Sequence, residues 1–179
     1  MSIRTKNKRI DETLEKEFTQ AKKMKQISLK EHFNKTFKRI KITGDGNCLF
    51  RAILYCLFKD DSQHFELRQK VCQYMLNNRT DFEGFVDLQQ GNFDDYIEEK
   101  RYDGIWGDEP ELIAASQMLQ FNFEVFDSKT YLIRRKHHYT SLLPTIYLEF
   151  YNNNHYNALN LIQNKVKIVL SPKNVTLDM

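Results

Sequence analysis

The sequence predicts an α+β domain in which helices come first and a small, mostly antiparallel sheet follows, packed between helices. Two observations carry this prediction. Up to about residue 119, apolar residues recur every three or four positions, which is the spacing of one helix face. From residue 122 onward they alternate with polar residues in short segments, which is the pattern of half-buried strands. Helices and strands that are separated along the chain are typical of α+β folds.

Residues 1–38 are predicted to form a basic helical segment outside the domain. Residues 1–39 carry 12 Lys or Arg and 5 Asp or Glu, whereas the remainder carries 15 and 19. A basic arm suits nucleic acid or anionic lipid, but also a solvated helix face. No zinc-finger or RNA-binding spacing is present, so we expect no nucleic acid partner. Two helical stripes are expected to pack on the domain, the first at Ile10, Leu14, Phe18, Ala21 and Met24, the second at Leu29, Phe33 and Phe37.

Four further helices are predicted before the sheet. The segment Cys48–Phe58 is apolar on nearly every side, so it should be the central buried helix. A short strand over residues 39–43 precedes it, with a Gly-Asp-Gly turn between them. A short acidic helix covers residues 94–100. The other two helices have predicted inner faces: Phe65, Val71, Cys72 and Met75 in residues 62–77, and Leu112, Ala115, Ser116 and Leu119 in the helix that starts at Pro110.

Four strands should complete the domain as an antiparallel meander. Alternation predicts them at residues 122–126, 131–135, 145–151 and 155–159. Three consecutive asparagines, residues 152–154, mark the tight turn before the last strand.

The composition excludes several protein classes. Three cysteines without a CxxC pair argue against a disulfide framework and a zinc site. The polar start of the chain has no signal-peptide pattern, and no apolar stretch is long enough to span a bilayer. We therefore expect a monomer without a metal or cofactor, located in the cytoplasm, or in the host cytoplasm if it is an effector of a pathogen or symbiont.

Cys48 is the first candidate for chemistry. It follows a glycine-containing turn and lies in the first turn of an apolar helix. The helix dipole and unpaired backbone N–H groups at that end favour a thiolate and can hold an oxyanion. The alternative is a small buried structural cysteine, with Asp45 or Asn47 capping the helix.

His155 is the candidate base for such a nucleophile. It starts a strand directly after a tight turn, at the rim of the sheet, and Asn157 follows on the same face. An asparagine oxygen there can orient the imidazole, as in Cys-His-Asn proteases. A structural histidine is the alternative. The other four histidines, His32, His64, His137 and His138, have no partner that the sequence identifies.

Three segments together resemble the ovarian-tumour (OTU) family of cysteine proteases. They are DGNCLFRA at residues 45–52, YDGIWGDEPELIAASQML at 102–119 and IYLEFYNNNHYNAL at 146–159. Their order and spacing agree over about residues 40–160. The resemblance implies a papain-like OTU fold, with a catalytic domain at residues 39–179 after the N-terminal helical segment.

By this resemblance Cys48 is the nucleophile, His155 the general base and acid, and Asn157 the residue that orients His155. Asp45 belongs to the nucleophile loop that builds the oxyanion hole. Substrate contacts are implied for Gly46, Asn47, Trp106 and Tyr156. Many relatives carry aspartate where this chain has Asn157, so Asn157→Asp is expected to preserve activity. No metal or organic cofactor is implied.

The implied activity is that of a deubiquitinase. Such a thiol isopeptidase hydrolyses the bond between the C-terminal glycine of ubiquitin and a substrate lysine. The expected partners are ubiquitin, polyubiquitin and related ubiquitin-like modifiers. Two alternatives stay open at this point. One is a catalytically weak, OTU-like module that binds ubiquitin in the same groove, and the other is a nucleic-acid binder that uses the basic arm.

Overall fold

The computed structural model of the chain describes residues 3–85, 92–138 and 140–162, with side chains from residue 15 onward. The α-helices are α1 (Ile3–Thr36), α2 (Cys48–Phe58), α3 (His64–Asn77), α4 (Arg79–Phe82), α5 (Phe93–Arg101) and α6 (Glu109–Leu119). A 3₁₀ turn, Glu83–Phe85, follows α4. The strands are β1 (Phe37–Ile40), β2 (Asn122–Asp127), β3 (Ile133–His137), β4 (Thr145–Tyr151) and β5 (His155–Leu161). The predicted α+β class is confirmed.

The five strands form one sheet in the order β1-β5-β4-β2-β3. Three pairings are antiparallel, as expected, but β2 and β4 are parallel, so the predicted meander is wrong. After β3 the chain crosses over the end of the sheet to the other side of β2. Strand β4 can then pair with the edge of β2 that β3 does not occupy. The side-chain amide of Asn122 holds this crossing, since it donates to the carbonyl oxygens of Thr140 and Leu143 at 2.7 and 2.9 Å.

Helix α2 is the central buried helix, as predicted. It packs against β4 and β5 on one side and against α3 on the other. Helix α3 in turn contacts α5 and α6. The predicted inner face of α3 is wrong at Phe65, which is 47% exposed, and Arg68 lies in the core in its place. In α6, Leu119 is only half-buried, whereas Glu111 is fully buried.

The N-terminal segment is a single helix, α1, instead of two. No glycine or proline occurs before Gly44, so nothing in the sequence interrupts it. Its expected packing is wrong at Phe18 and Met24, which are each 63% exposed. The side chains of Ile10 and Leu14 lie outside the described residues. No described helix is long and apolar enough to cross a membrane.

Among the described side chains of α1, the buried contact with the domain lies at the end of the helix. Phe33 is buried with Phe37 and Leu159 against the sheet, and its ring lies 5.2 Å from that of Phe37. The sheet therefore lies between α2 on one face and the end of α1 on the other. Because β1 begins at Phe37, the predicted boundary after residue 38 divides a strand. The described part of the predicted domain ends at residue 162.

Candidate active site

A short loop carries Cys48 from β1 to the start of α2. Within it, Gly46 has a φ of 84° and packs directly against Gly104. A Cβ on Gly46 would lie 1.7 Å from the carbonyl oxygen of Gly104, so only glycine fits. The loop thereby places Cys48, which is 2% exposed, in the first turn of α2.

Asp45 supports this loop through its own side chain. Its Oδ1 accepts from the backbone N–H of Asn47 at 3.0 Å, and its Oδ2 accepts from Nη2 of Arg51 at 2.7 Å. Partial burial acts to raise the pKa of Asp45, but these hydrogen bonds outweigh it and bring the pKa to about 2. Because the Asn47 N–H already donates to Asp45, the Cys48 N–H is the candidate that we expect to donate to an oxyanion.

Asn47 does not line the groove, contrary to the expected substrate contact. It is 2% exposed, and its side-chain oxygen accepts from Arg68 at 2.7 Å and from the Gly104 N–H at 3.1 Å. Arg68 also donates to the carbonyl oxygen of Gly46 at 3.2 Å. Asn47 therefore stabilises the nucleophile loop through buried hydrogen bonds and does not contact a substrate in the groove.

The contact expected between His155 and Asn157 is present. Nε2 of His155 lies 3.2 Å from Oδ1 of Asn157 at the start of β5. The same oxygen accepts from the backbone N–H of Ile42 at 3.1 Å. Because that N–H can only donate, the Asn157 oxygen faces it and the ring, so Nε2 of His155 carries the proton. Nδ1 is then left with a lone pair for proton transfer.

One groove of about 660 Å³ brings the predicted chemistry together. A Cβ on Gly44 would lie 3.7 Å from Nδ1 of His155, so this glycine keeps the space beside the base open. Among the lining residues are Gly44, Gly46, Cys48, Trp106, His155 and Asn157.

Tyr156, expected to contact substrate, has its side chain in the core. It is fully buried, its ring stacks on Trp106 with 6.2 Å between centroids, and its hydroxyl accepts from Arg135 at 2.7 Å. Burial raises its pKa. Tyr156 therefore supports Trp106, which lines the groove as expected.

The thiol of Cys48 is less acidic than the sequence suggested. Burial raises its pKa, whereas the backbone N–H groups of Tyr156 and Leu49 and the indole N–H of Trp106 act to lower it. Burial is the largest of these effects, and it opposes the helix-start N–H groups that favour a thiolate. Nε1 of Trp106 is buried without a hydrogen-bond partner among the described residues. A thiolate formed during reaction would take up this donor.

Three side chains that support the site were missed by the sequence analysis. Glu149 and Arg68 are fully buried, and Arg39 pairs with Glu149. For Arg68 a signal exists, because it lies on the same helical stripe as Val71, Cys72 and Met75. Glu149 occupies a polar position of an alternating strand, where the sequence gives no sign of burial.

The remaining histidines lie outside the groove lining. His137 faces Glu109 and His138 faces Glu124. Within the described ranges no cluster of three or more His, Cys, Asp or Glu could hold a metal ion. All three cysteines are free.

The comparison with known proteins agrees with this geometry. A family model described as OTU-like cysteine protease matches residues 43–159, which is more than half of the chain. This chain belongs to the OTU-like cysteine protease family. OTU domain-containing protein 1 of Mus musculus is 34% identical over 130 residues, covering 68% of this chain and 28% of that protein. OVARIAN TUMOR DOMAIN-containing deubiquitinating enzyme 10 of Arabidopsis thaliana is 30% identical over 132 residues, covering 70% and 35%.

Solved structures of this family share the fold. The OTU domain of OTUD1 superposes with a TM-score of 0.64 at 27% identity, covering 79% of this chain and 99% of that chain. An OTU domain in complex with ubiquitin gives a TM-score of 0.61 at 29% identity, covering 73% of both chains. The chain spans about a third of the length of the two curated relatives, 28% and 35%.

Proposed function

We propose that this OTU protease is a deubiquitinase, a thiol isopeptidase that cleaves between the C-terminal glycine of ubiquitin and a substrate lysine. The observation that carries the proposal is the groove shared by Cys48, His155 and Asn157. A relative named as a deubiquitinating enzyme and a similar OTU domain in complex with ubiquitin support the choice of substrate.

In the first step His155 acts as the base. Its Nδ1 takes the proton of the Cys48 thiol, and the sulfur attacks the glycyl carbonyl carbon. The carbonyl oxygen becomes an oxyanion, which the Cys48 N–H at the helix start stabilises. Because burial raises the pKa of Cys48, this proton transfer accompanies substrate binding.

After the first tetrahedral intermediate has formed, His155 acts as an acid. The tetrahedral intermediate collapses, the C–N bond breaks, and the imidazolium protonates the leaving lysine amine. The glycyl thioester on Cys48 is then attacked by water, which His155 deprotonates. Collapse of this second intermediate releases the carboxylate and returns the proton to the thiolate. Asn157 keeps the ring oriented throughout.

The walls of the groove suit a glycine-terminated tail. Gly44 and Gly46 both line it, and neither places a side chain beside Cys48. Trp106 forms another part of the wall. An extended substrate tail that ends in Gly-Gly can therefore bring its backbone close to Cys48.

A ubiquitin carrying a C-terminal propargylamide tests the proposal. We expect a covalent adduct of the full chain, lost in Cys48→Ala and kept in Cys56→Ala, which removes a thiol from the far half of the same helix. Isopeptide-linked di-ubiquitin of each linkage should be cleaved for at least one linkage. An adduct that persists in Cys48→Ala, or none in the folded wild type, contradicts the proposal.

The alternative is a ubiquitin-binding module with weak catalysis, which the burial of Cys48 would suit because burial raises the pKa of its thiol. Ubiquitin binding measured by calorimetry, together with absence of the propargylamide adduct, is the result that this alternative predicts.

A further inference from the structure

We propose that Glu149 is a positioning residue for the catalytic histidine, acting through the side-chain amide of Asn157. The inference deepens the proposed function and rests on it. It assigns to a buried carboxylate on β4 the task that an aspartate on β5 performs in many relatives.

The sheet register puts these residues side by side. Glu149 on β4 lies directly opposite Asn157 on β5 in the antiparallel pair. On the other side of β5, Arg39 of β1 lies opposite Leu159, two positions beyond Asn157. Residues two apart on a strand share a face, so all of these side chains reach the same side of the sheet.

The hydrogen bonds connect them into one chain. Nδ2 of Asn157 donates to Oε2 of Glu149 at 3.0 Å. Nε of Arg39 donates to the same carboxylate at 2.6 Å, and its Nη2 makes a second, shorter contact. Glu149 is fully buried, and this two-pronged ion pair offsets the cost of burying its charge.

Two groups fix the orientation of the Asn157 amide, the Ile42 N–H at its oxygen and Glu149 at its NH₂ group. A carboxylate paired with Arg39 accepts hydrogen bonds and offers none, so it requires the NH₂ group of Asn157. The oxygen of Asn157 then faces His155, where it accepts from Nε2. Nδ1 of the ring is left unprotonated and able to receive the Cys48 proton. Glu149 thus favours the productive tautomer through Asn157, in addition to Ile42.

The geometry makes a specific statement about Asn157→Asp. An aspartate there would place a second carboxylate against Glu149, where the wild-type contact is 3.0 Å. Like charges at this distance do not both ionise readily, so one carboxylate takes up a proton and the ring loses its defined acceptor. We expect kcat to fall on the order of a hundredfold, at the low end of what general acid–base catalysis contributes.

Glu149→Gln creates a different conflict. Oε2 of Glu149 accepts from both Nε of Arg39 and Nδ2 of Asn157, so an amide oxygen at that position serves both partners. The NH₂ group of the glutamine is then turned against Nη2 of Arg39, where two donors meet. We expect kcat to fall about tenfold and to account for most of the loss in kcat/KM, with a smaller change in KM because Arg39 lines the groove.

The double variant Asn157→Asp/Glu149→Gln removes the contact between two carboxylates. The introduced glutamine donates through its NH₂ group to the introduced aspartate and accepts from Nη2 of Arg39 through its oxygen, while Nε of Arg39 alone loses its acceptor. The aspartate in turn accepts from Nε2 of His155. We expect kcat within about threefold of the wild type, which is rescue of both single losses. A merely structural role for Glu149 predicts losses that add.

Glu124→Gln is the matched control. Glu124 lies on β2, is largely buried, and pairs with Lys136 at 3.0 Å, but it lies outside the groove lining. It should leave kcat unchanged. Ring ¹⁵N chemical shifts of His155 give a readout that needs no substrate. We expect Nε2–H in the wild type and in the control, and a measurable fraction of Nδ1–H in Glu149→Gln, where Ile42 alone still holds the Asn157 oxygen.

Ubiquitin-aminomethylcoumarin hydrolysis gives kcat and KM for all five proteins. The inference would be overturned if kcat of the double variant were no higher than that of the less active single variant. An unchanged His155 tautomer in Glu149→Gln would also overturn it. An inactive wild type with the expected ring shifts would instead contradict the proposed function and leave the positioning role supported.

Discussion

Nη2 of Arg68 on α3 donates to the side-chain oxygen of Asn47 at 2.7 Å, directly beneath the loop that carries Cys48. Nη1 of the same guanidinium donates to the carbonyl oxygen of Lys100 at 2.9 Å. Its plane also lies over the ring of Phe50, 4.4 Å from the centroid. One buried cation therefore ties the nucleophile loop to the end of α5, from which the chain continues to Trp106.

Arg68→Lys should weaken the support of the loop that carries Cys48 while keeping the positive charge. A lysine has no planar fork and cannot serve Asn47 and Lys100 together, so at least one buried acceptor is left unpaired. We expect a loss of about 1–3 kcal/mol in unfolding free energy and at least a tenfold drop in kcat. Urea denaturation and ubiquitin-aminomethylcoumarin hydrolysis measure the two effects.

Arg101→Lys provides the control for this substitution. Arg101 also joins α5 to α3, through Gln69 at 3.1 Å and Gln73 at 2.8 Å, but it touches neither the loop nor the groove. It should change kcat by less than about twofold. Equal effects of the two substitutions would contradict the role given to Arg68.

Gly46→Ala should inactivate the enzyme. The added methyl would meet backbone atoms of Gly104, which cannot move aside as a side chain can, and φ is 84° at this position. Gly84→Ala is the control, because no atom of the residues that the structure describes lies within 4 Å of a Cβ there. Adduct formation with the propargylamide probe should be lost in the first variant and retained in the second. A reactive Gly46→Ala protein would contradict the close packing of these two loops.

Truncation from the N-terminus should have a sharp limit. Among the described side chains, removing residues 1–28 deletes an exposed stretch of helix and a single hydrogen bond to the domain, from Gln26 to Lys129, so probe reactivity should persist. Removing residues 1–38 also deletes Phe33 and half of β1. It should lower the melting temperature, since two buried aromatic side chains are lost. Equal melting temperatures for the two truncated proteins would contradict this boundary.

Stability should fall at alkaline pH. Burial raises the pKa of Cys56 and of Cys72 to about 11, and the unfolded value lies near 9. A thiol whose pKa is higher in the folded protein binds its proton more tightly there than in the unfolded chain. Its contribution to the free energy of unfolding is therefore complete below about pH 9 and is lost as pH rises to about 11. For Cys72 this is on the order of 2 kcal/mol.

Urea denaturation at pH 8 and pH 10.5 tests this expectation. The wild type should lose more unfolding free energy between the two pH values than the Cys56→Ala/Cys72→Ala variant does, even though that variant is less stable at pH 8. The same pH dependence in both proteins would show that other groups cause it.

Local patterns in the sequence were sufficient for much of the fold and for the two reacting residues. The apolar run of α2 and the alternation in β4 and β5 depend on neighbouring residues alone, so they could be predicted. Cys48 and His155 stand at element ends that turn residues mark. The packing of α1 could not be predicted, because an amphipathic stripe does not show whether a partner surface exists.

Short-range patterns in the chain were enough to predict the α+β class, the order of most elements and the grouping of Cys48, His155 and Asn157. The parallel pairing of β2 with β4, the burial of Glu149 against Asn157 and the place of Arg68 beneath the nucleophile loop became visible only in the folded protein. Strand pairing and burial depend on residues far apart in the chain, such as Arg39 and Glu149, and no local pattern records them. The opposing expectations for Asn157→Asp have the same origin, because the carboxylate that we propose makes aspartate unfavourable comes from another strand.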